Sequence, residues 1–220
     1  MKKIFFSLFI FQLSIFSLFG LDKSLFFTLG PKLMLNTDDS TKSAPSPVMY
    51  SFGIGGDFFI KDNVLFQSHG SFFTNYYLWD GERAQPAEAE NRTATALSAM
   101  LDLTGGYTWK RGESQKHHFS LTGGLGLFVR IGVLSGGVNP DDKNSDGKST
   151  ASEDVSSINS DFYSDLNFLY PELAFSYSYI FSDVWKIGGE VRSYIPLGSI
   201  INGNGIDAMI LSFAFKISYK

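Results

Sequence analysis

The sequence lacks cysteine altogether, and its 220 residues include only three histidines. Without cysteine, neither a disulfide framework nor a lipid-modified N-terminal cysteine is available. After residue 20, no uninterrupted apolar stretch approaches the roughly 18 residues that a membrane-spanning helix needs. The formal net charge is −4, and the basic residues form no cluster of the kind that binds nucleic acid. A membrane span in this chain after residue 20 must therefore consist of strands.

The N-terminus has the pattern of a secretory signal peptide. Lys2 and Lys3 precede a mainly apolar run over residues 4–19, and Gly20 follows. Leu18 and Phe19 occupy positions where small residues usually precede the cleavage site, so an uncleaved anchor is the alternative. We expect residues 1–20 to be a signal peptide and residues 21–220 to form one domain.

Large apolar side chains alternate with small or polar ones through eight segments between residues 25 and 219. The last segment shows the pattern, because Phe213, Phe215 and Ile217 alternate with Ala214 and Lys216. Successive side chains of a strand point to opposite faces, so this period predicts a sheet with one apolar face. Closing such a sheet into a barrel removes its exposed edges.

Two regularities favour a membrane barrel over a soluble barrel of the lipocalin kind. The connections alternate between long loops and short turns, and residues 77–93 and 134–165 are the longest predicted loops. Aromatic residues gather near strand ends, where lipid headgroups would lie; they are Tyr50, Tyr76, Trp109, Tyr179, Trp185 and Tyr219. In a lipocalin the large apolar side chains would have to fit inside the barrel, and they would overfill it.

The predicted architecture is an all-β, eight-stranded antiparallel up-and-down transmembrane barrel. It resembles the small eight-stranded outer-membrane barrels of Gram-negative and spirochaete bacteria, including the OmpA, OmpX and OmpW types. The resemblance covers residues 25–220 as architecture and implies a place in the cell outer membrane, periplasmic termini, contact with outer-membrane lipid and insertion by the barrel assembly machinery. Proteins of this kind usually end in an aromatic residue, whereas here Tyr219 is penultimate and Lys220 is last. This departure weakens the expected assembly signal.

The face opposite the apolar one carries eight charged residues, four of each sign. They are Lys32, Asp57, Asp102, Arg130, Glu172, Glu190, Arg192 and Lys216. Charges in a narrow lumen must pair or remain hydrated. We expect Glu190 to pair with Lys216, and Glu172 with Arg192, across neighbouring strands.

A charged lumen has two interpretations. It is either a static plug of salt bridges, in a protein that acts structurally or through its surface loops, or the constriction of a porin-like small-solute channel. We favour the plug. A channel for hydrophobic substrates of the OmpW type would require an apolar lumen, whereas this face carries glycine, serine, threonine and charge.

The loop over residues 134–165 contains the spacing D-x-N-x-D-G-x5-E of a calcium-binding loop. The ligands would be Asp142, Asn144, Asp146, the Lys148 carbonyl and Glu153, with Gly147 at the sharp turn. Ser149 stands where an aliphatic residue is usual, and no flanking helical pattern is evident. The alternative is a solvated acidic loop, so calcium is the only cofactor that the sequence suggests. This loop is also the expected contact for an extracellular ligand or host surface.

We expect no enzymatic activity. His117 and His118 fall beside a predicted periplasmic turn and His69 falls within a strand, so no histidine lies near the long loops where a catalytic rim would form. No Ser/His/Asp arrangement is evident in the sequence.

Overall fold

The computed structural model describes residues 22–36, 47–61, 63–112, 114–143 and 147–220. The predicted signal peptide lies outside these residues. Within them are nine strands: β1 (Asp22–Met34), β2 (Val48–Lys61), β3 (Val64–Trp79), β4 (Ala84–Ala87), β5 (Ala94–Arg111), β6 (His117–Leu134), β7 (Leu169–Ile180), β8 (Trp185–Tyr194) and β9 (Ile210–Tyr219). Two helices, α1 (Ala151–Asp161) and α2 (Leu197–Ile201), lie in the connections. Neither helix of this described part is long and apolar enough to cross a membrane.

Eight of the strands close into an antiparallel barrel, as predicted. Each strand pairs with the next along the barrel wall, and β1 closes the ring by pairing with both β2 and β9. Leu25, for example, lies opposite Gly56 of β2 and Tyr219 of β9. The remaining strand, β4, pairs only with the end of β3 and extends above the ring.

The alternation in the sequence becomes an apolar outer wall and a lumen that holds both polar side chains and one buried apolar cluster. The expectation that the lumen carries only glycine, serine, threonine and charge was therefore wrong, because Met34, Met49, Phe73, Met100, Phe128, Tyr170, Tyr194 and Ile210 pack together inside it. The side chains of Phe27, Phe52, Leu97 and Phe215 are each more than half exposed on the outer wall. Neighbouring positions such as Thr28 and Lys216 are buried in the lumen. So much exposed apolar surface around a closed wall is stable only against lipid.

Aromatic side chains cluster where the strands meet the short turns. The rings of Trp185 and Tyr219 lie 4.9 Å apart, and those of Trp109 and Phe119 lie 5.8 Å apart. Tyr50, near the opposite end, is 79% exposed. The predicted aromatic positions at the strand ends are confirmed.

Two loops predicted to be irregular contain regular structure. In residues 77–93, β3 continues to Trp79 and forms a hairpin with β4. In residues 134–165, α1 begins after Thr150, whose side chain accepts the Glu153 amide while the Glu153 carboxylate accepts the Thr150 amide. This capping box satisfies amides that the first helical turn leaves without partners. The expectation that no helix flanks the acidic motif was therefore wrong.

Candidate functional site

Arg192 lies at the centre of the lumen and contacts three carboxylates. Its Nε donates to Glu190 at 2.7 Å, and its Nη1 lies 3.1 Å from Glu172 and 3.5 Å from Asp102. Nη2 donates to the side-chain carbonyl of Gln67. The Arg192 side chain is 1% exposed. One cation thus joins β8 to β7, β5 and β3 across the barrel interior.

Lys216 extends this group towards the turns. Its Nζ lies 3.4 Å from Glu190 and 3.6 Å from Asp57. Gln67 links the two cations, because its side-chain amide also donates to Asp57 at 2.7 Å. We call Arg192, Lys216, Glu190, Glu172, Asp102, Asp57 and Gln67 the central network. Both ion pairs expected from the sequence, Glu190 with Lys216 and Glu172 with Arg192, are present in it.

A histidine adjoins the central network, and this contact was not predicted from the sequence. His69 Nδ1 lies 2.8 Å from Asp102, its Nε2 lies 3.0 Å from the Thr28 hydroxyl, and Tyr194 donates to Asp102 at 2.9 Å. The arrangement has the order nucleophile, base and acid, but His69 is only 3% exposed and Phe26 stacks on it. Knowledge of the strand register would have predicted the contact between His69 and Asp102, because the two residues are direct partners across β3 and β5.

Two of the eight expected lumen charges depart from the ion pairing that the sequence suggested. Lys32 donates to the Ser212 hydroxyl at 3.3 Å and lies 4.8 Å above the Tyr194 ring. Arg130 donates to the carbonyls of Phe162 at 3.1 Å and Asn167 at 2.7 Å. Its guanidinium carbon also lies 4.2 Å from the centre of the Phe162 ring. Arg130 therefore attaches the segment after α1 to the barrel wall.

Further contacts hold α1 at the loop end of the barrel. The Asn159 side chain accepts from the Gly132 amide and donates to the Gly132 carbonyl, both at 2.9 Å. The Tyr163 hydroxyl donates to the Arg130 carbonyl at 2.6 Å. The Phe162 ring packs edge-on against Tyr77, with the ring centres 4.7 Å apart. Helix α1 is thus fixed to β6 and β3 rather than projecting freely.

The loop end holds a partly open cavity of about 470 Å³ whose lining includes five acidic side chains and two arginines. Arg83 Nη1 lies 3.0 Å from Asp207, joining the β4 hairpin to the loop before β9. Asp161 accepts the Ala84 amide at 3.1 Å, and burial raises the pKa of its carboxyl. A second cavity of about 470 Å³ lies at the turn end. The central network lies between the two cavities.

Comparison of the whole structure with solved structures gives matches among outer-membrane barrels. Neisserial surface protein A (NspA) matches with a TM-score of 0.53 and 10% sequence identity over 90% of this chain and 96% of that one. OprG of Pseudomonas aeruginosa matches with a TM-score of 0.52 at the same identity and coverage. The fold is that of a small eight-stranded outer-membrane β-barrel. No family model matches the chain, and a search of curated proteins gives no match either.

The outer-membrane barrel fold and the apolar wall place the protein in the outer membrane. Barrels of this class keep short turns in the periplasm and longer loops outside the cell. By this rule we expect the cavity bounded by α1 and β4 to be extracellular and the cavity among the three short turns to be periplasmic.

The acidic motif in the extracellular loop is only partly within the described residues, which exclude Asn144 and Asp146. Asp142 accepts the Asn139 amide at 3.2 Å, and an isolated bridge joins Lys143 to Thr150. The carboxylate of Glu153 caps α1 through Thr150. Among the described residues there is no group of three or more His, Cys, Asp or Glu side chains placed to hold a metal. Calcium binding stays a prediction, in which the ion would compete with Thr150 for Glu153.

Proposed function

We propose that this outer-membrane barrel is closed to solutes and acts through its extracellular surface, as a structural or surface-interaction protein. The central network carries the proposal. It crosses the lumen where Arg192 on β8 donates to Gln67 on β3, and its ion pairs have lengths of 2.7–3.6 Å. Because every added ion or solute would have to displace these buried pairs, conduction through the resting network is unfavourable.

The extracellular contacts support the second half of the proposal. Helix α1, the β4 hairpin and the loop before β9 are joined to one another and to the wall through Arg130, Asn159, Asp161 and Arg83. A surface held in one conformation loses less entropy on binding than a flexible one. Residues 134–165 thus remain the proposed contact with an extracellular ligand or host surface.

The barrel fold also implies a partner for assembly. We propose that the barrel assembly machinery inserts the chain and that β9, which ends at Tyr219, is the strand it recognises.

We propose no enzymatic activity. The Thr28, His69 and Asp102 arrangement supports this choice, because its hydroxyl and imidazole are buried inside the wall rather than open to the extracellular rim.

A small-solute channel is the second candidate, and one observation favours it. Cavities of about 470 Å³ lie at both mouths. Between them the central network and a buried apolar cluster fill the lumen; the cluster consists of Met34, Met49, Phe73, Met100, Phe128, Tyr170, Tyr194 and Ile210. Both groups would have to rearrange to join the two cavities. The resting structure nevertheless supports the closed barrel.

Swelling of proteoliposomes distinguishes these functions. We expect vesicles that contain the folded barrel to remain as impermeable to small neutral sugars as protein-free vesicles, whereas a general porin in parallel vesicles admits them. Folding and insertion are checked by the gel-mobility change of heated against unheated protein. Sugar entry that scales with the amount of inserted protein would contradict the closed barrel and support the channel.

A further inference from the structure

The periplasmic mouth concentrates positive charge in one concave site. Five lysines line its cavity of about 470 Å³: Lys23, Lys61, Lys110, Lys186 and Lys220. They come from β1, β2, β5, β8 and the residue after β9, so they converge from most of the circumference. A single stretch of basic sequence does not produce this cluster.

Asp183 is the acidic side chain that lines this cavity within the described part of the chain. Lys23 already has an interaction partner. Asp62 and Glu113 belong to the neighbouring turns in the sequence and fall outside the described residues. Asp57 lies deeper, where it is engaged by Lys216 and Gln67.

A histidine adds a further polar group to the same cavity. His118 lines it, and its Nε2 is buried without a hydrogen-bond partner among the described residues. Thr108 and Ser24 supply hydroxyls at the same wall.

We propose that the periplasmic mouth binds a soluble polyvalent anion that carries phosphate or carboxylate groups. Like charges held together repel one another, and an anion that contacts several lysines converts this cost into charge-assisted hydrogen bonds. The apolar parts of Phe59, Ile180 and Val184 leave room for a carbon skeleton between the charged groups. The chain as a whole is acidic, so the affinity is a property of this mouth rather than of net charge.

The test measures pyrophosphate binding by calorimetry, using the full barrel in nanodiscs of zwitterionic lipid. We expect saturable 1:1 binding, with affinity reduced about tenfold for each of the two lysines removed in a Lys110→Met, Lys186→Met double variant. Lys116→Met is the matched control, because Lys116 is exposed at the same end but does not line the cavity. It should change affinity less than about twofold.

A lipid phosphate could occupy the mouth instead of a soluble anion. Nanodiscs that contain anionic lipid, compared at equal ionic strength, separate these sources. If headgroups reach the mouth, pyrophosphate binding to the wild-type protein weakens in anionic lipid. The soluble-anion proposal expects unchanged affinity. The proposal is overturned by absence of pyrophosphate binding, by equal loss in the double variant and Lys116→Met, or by displacement by anionic lipid.

Discussion

Arg192 Nε donates to Glu190 Oε1 at 2.7 Å, and the two residues are separated by one position on β8. Alternate residues of a strand share a face, so both side chains point into the lumen. Glu172 and Asp102 approach the same guanidinium from β7 and β5. Among the described ion pairs, Arg192 therefore contacts more lumen carboxylates than any other cation does.

Removal of Arg192 should destabilise the barrel more than removal of any exposed cation. Arg192→Ala leaves buried carboxylates without their main counter-ion, and breaking a buried ion pair from one side costs about 3–5 kcal/mol. Urea unfolding in lipid bilayers measures this loss. Lys116→Ala, at an exposed site, is the control and should stay within about 0.5 kcal/mol of wild type. A similar small effect for both variants would show that Arg192 does not hold the lumen together.

Neutralising the carboxylates as well should restore much of that stability. Arg192→Met combined with Glu190→Gln and Glu172→Gln removes the cation together with two of its partners, and replacing a whole buried ion-pair group is often neutral. We expect the same unfolding measurement to recover at least half of the loss seen in Arg192→Ala. No recovery would indicate that packing of the arginine side chain, rather than its charge, stabilises the lumen.

Two adjacent glycines of β5 should respond differently to alanine. A Cβ at Gly106 would lie 2.0 Å from the Leu121 carbonyl oxygen, whereas a Cβ at Gly105 would lie 3.9 Å from its nearest neighbour, the Leu65 oxygen. Gly106→Ala forces neighbouring backbone to move, which costs about 1–3 kcal/mol. Gly105→Ala is the matched control and should be nearly neutral in the same unfolding assay. Equal stability of both variants would contradict the close approach of β5 and β6.

Arg130 should control the order of α1 without controlling the barrel. Arg130→Met keeps an apolar chain of similar length but loses the donors to Phe162 and Asn167. We expect faster hydrogen exchange in α1 and little change in the strand amides below it. Arg111→Met, an exposed change at the other end, should leave α1 unaffected. Unchanged exchange in α1 would mean that Asn159 and Tyr163 suffice to hold the helix.

The first turn of α1 should weaken at acid pH. Hydrogen bonds from the Thr150 backbone amide and side chain lower the pKa of Glu153. A carboxyl group with a lowered pKa stabilises the folded form above its unfolded value of about 4.3, and this contribution is lost as the pH falls through the folded pKa. The protection factors of the Glu153 and Asp154 amides, which compare the intrinsic exchange rate at each pH with the observed rate, should fall between pH 6 and pH 3. Glu153→Gln keeps an acceptor and should flatten the profile.

The two-residue period of the strands was sufficient to predict the barrel fold and the charged residues that face the lumen. Alternation over β1 to β9 placed the eight charged residues, and neighbouring strands placed the Glu190 and Glu172 pairings, because these depend only on which face a residue occupies. The alternation does not fix the register, that is, which residues of adjacent strands lie opposite each other. The contact of His69 with Asp102 requires knowing that they lie directly opposite each other, and alternation does not fix this.

The loops were predicted less well than the wall for a related reason. Helix α1 has a weak apolar face, with Ile158 as its large buried hydrophobic side chain, so polar residues dominated its pattern. The signal was present in the capping spacing Thr150 to Glu153, which the calcium motif shared. Arg130 departed from the expected pairing because its partners are carbonyls of the segment after this helix.

Single-channel conductance in planar bilayers, recorded for the wild-type barrel, tests the central claim that its filled lumen is closed to ions. Insertion of the protein is verified by the gel-mobility change on heating. We expect a silent bilayer, because the central network and the apolar cluster that includes Phe73, Phe128 and Tyr170 both fill the lumen. Discrete current steps from the inserted wild-type protein would contradict the account.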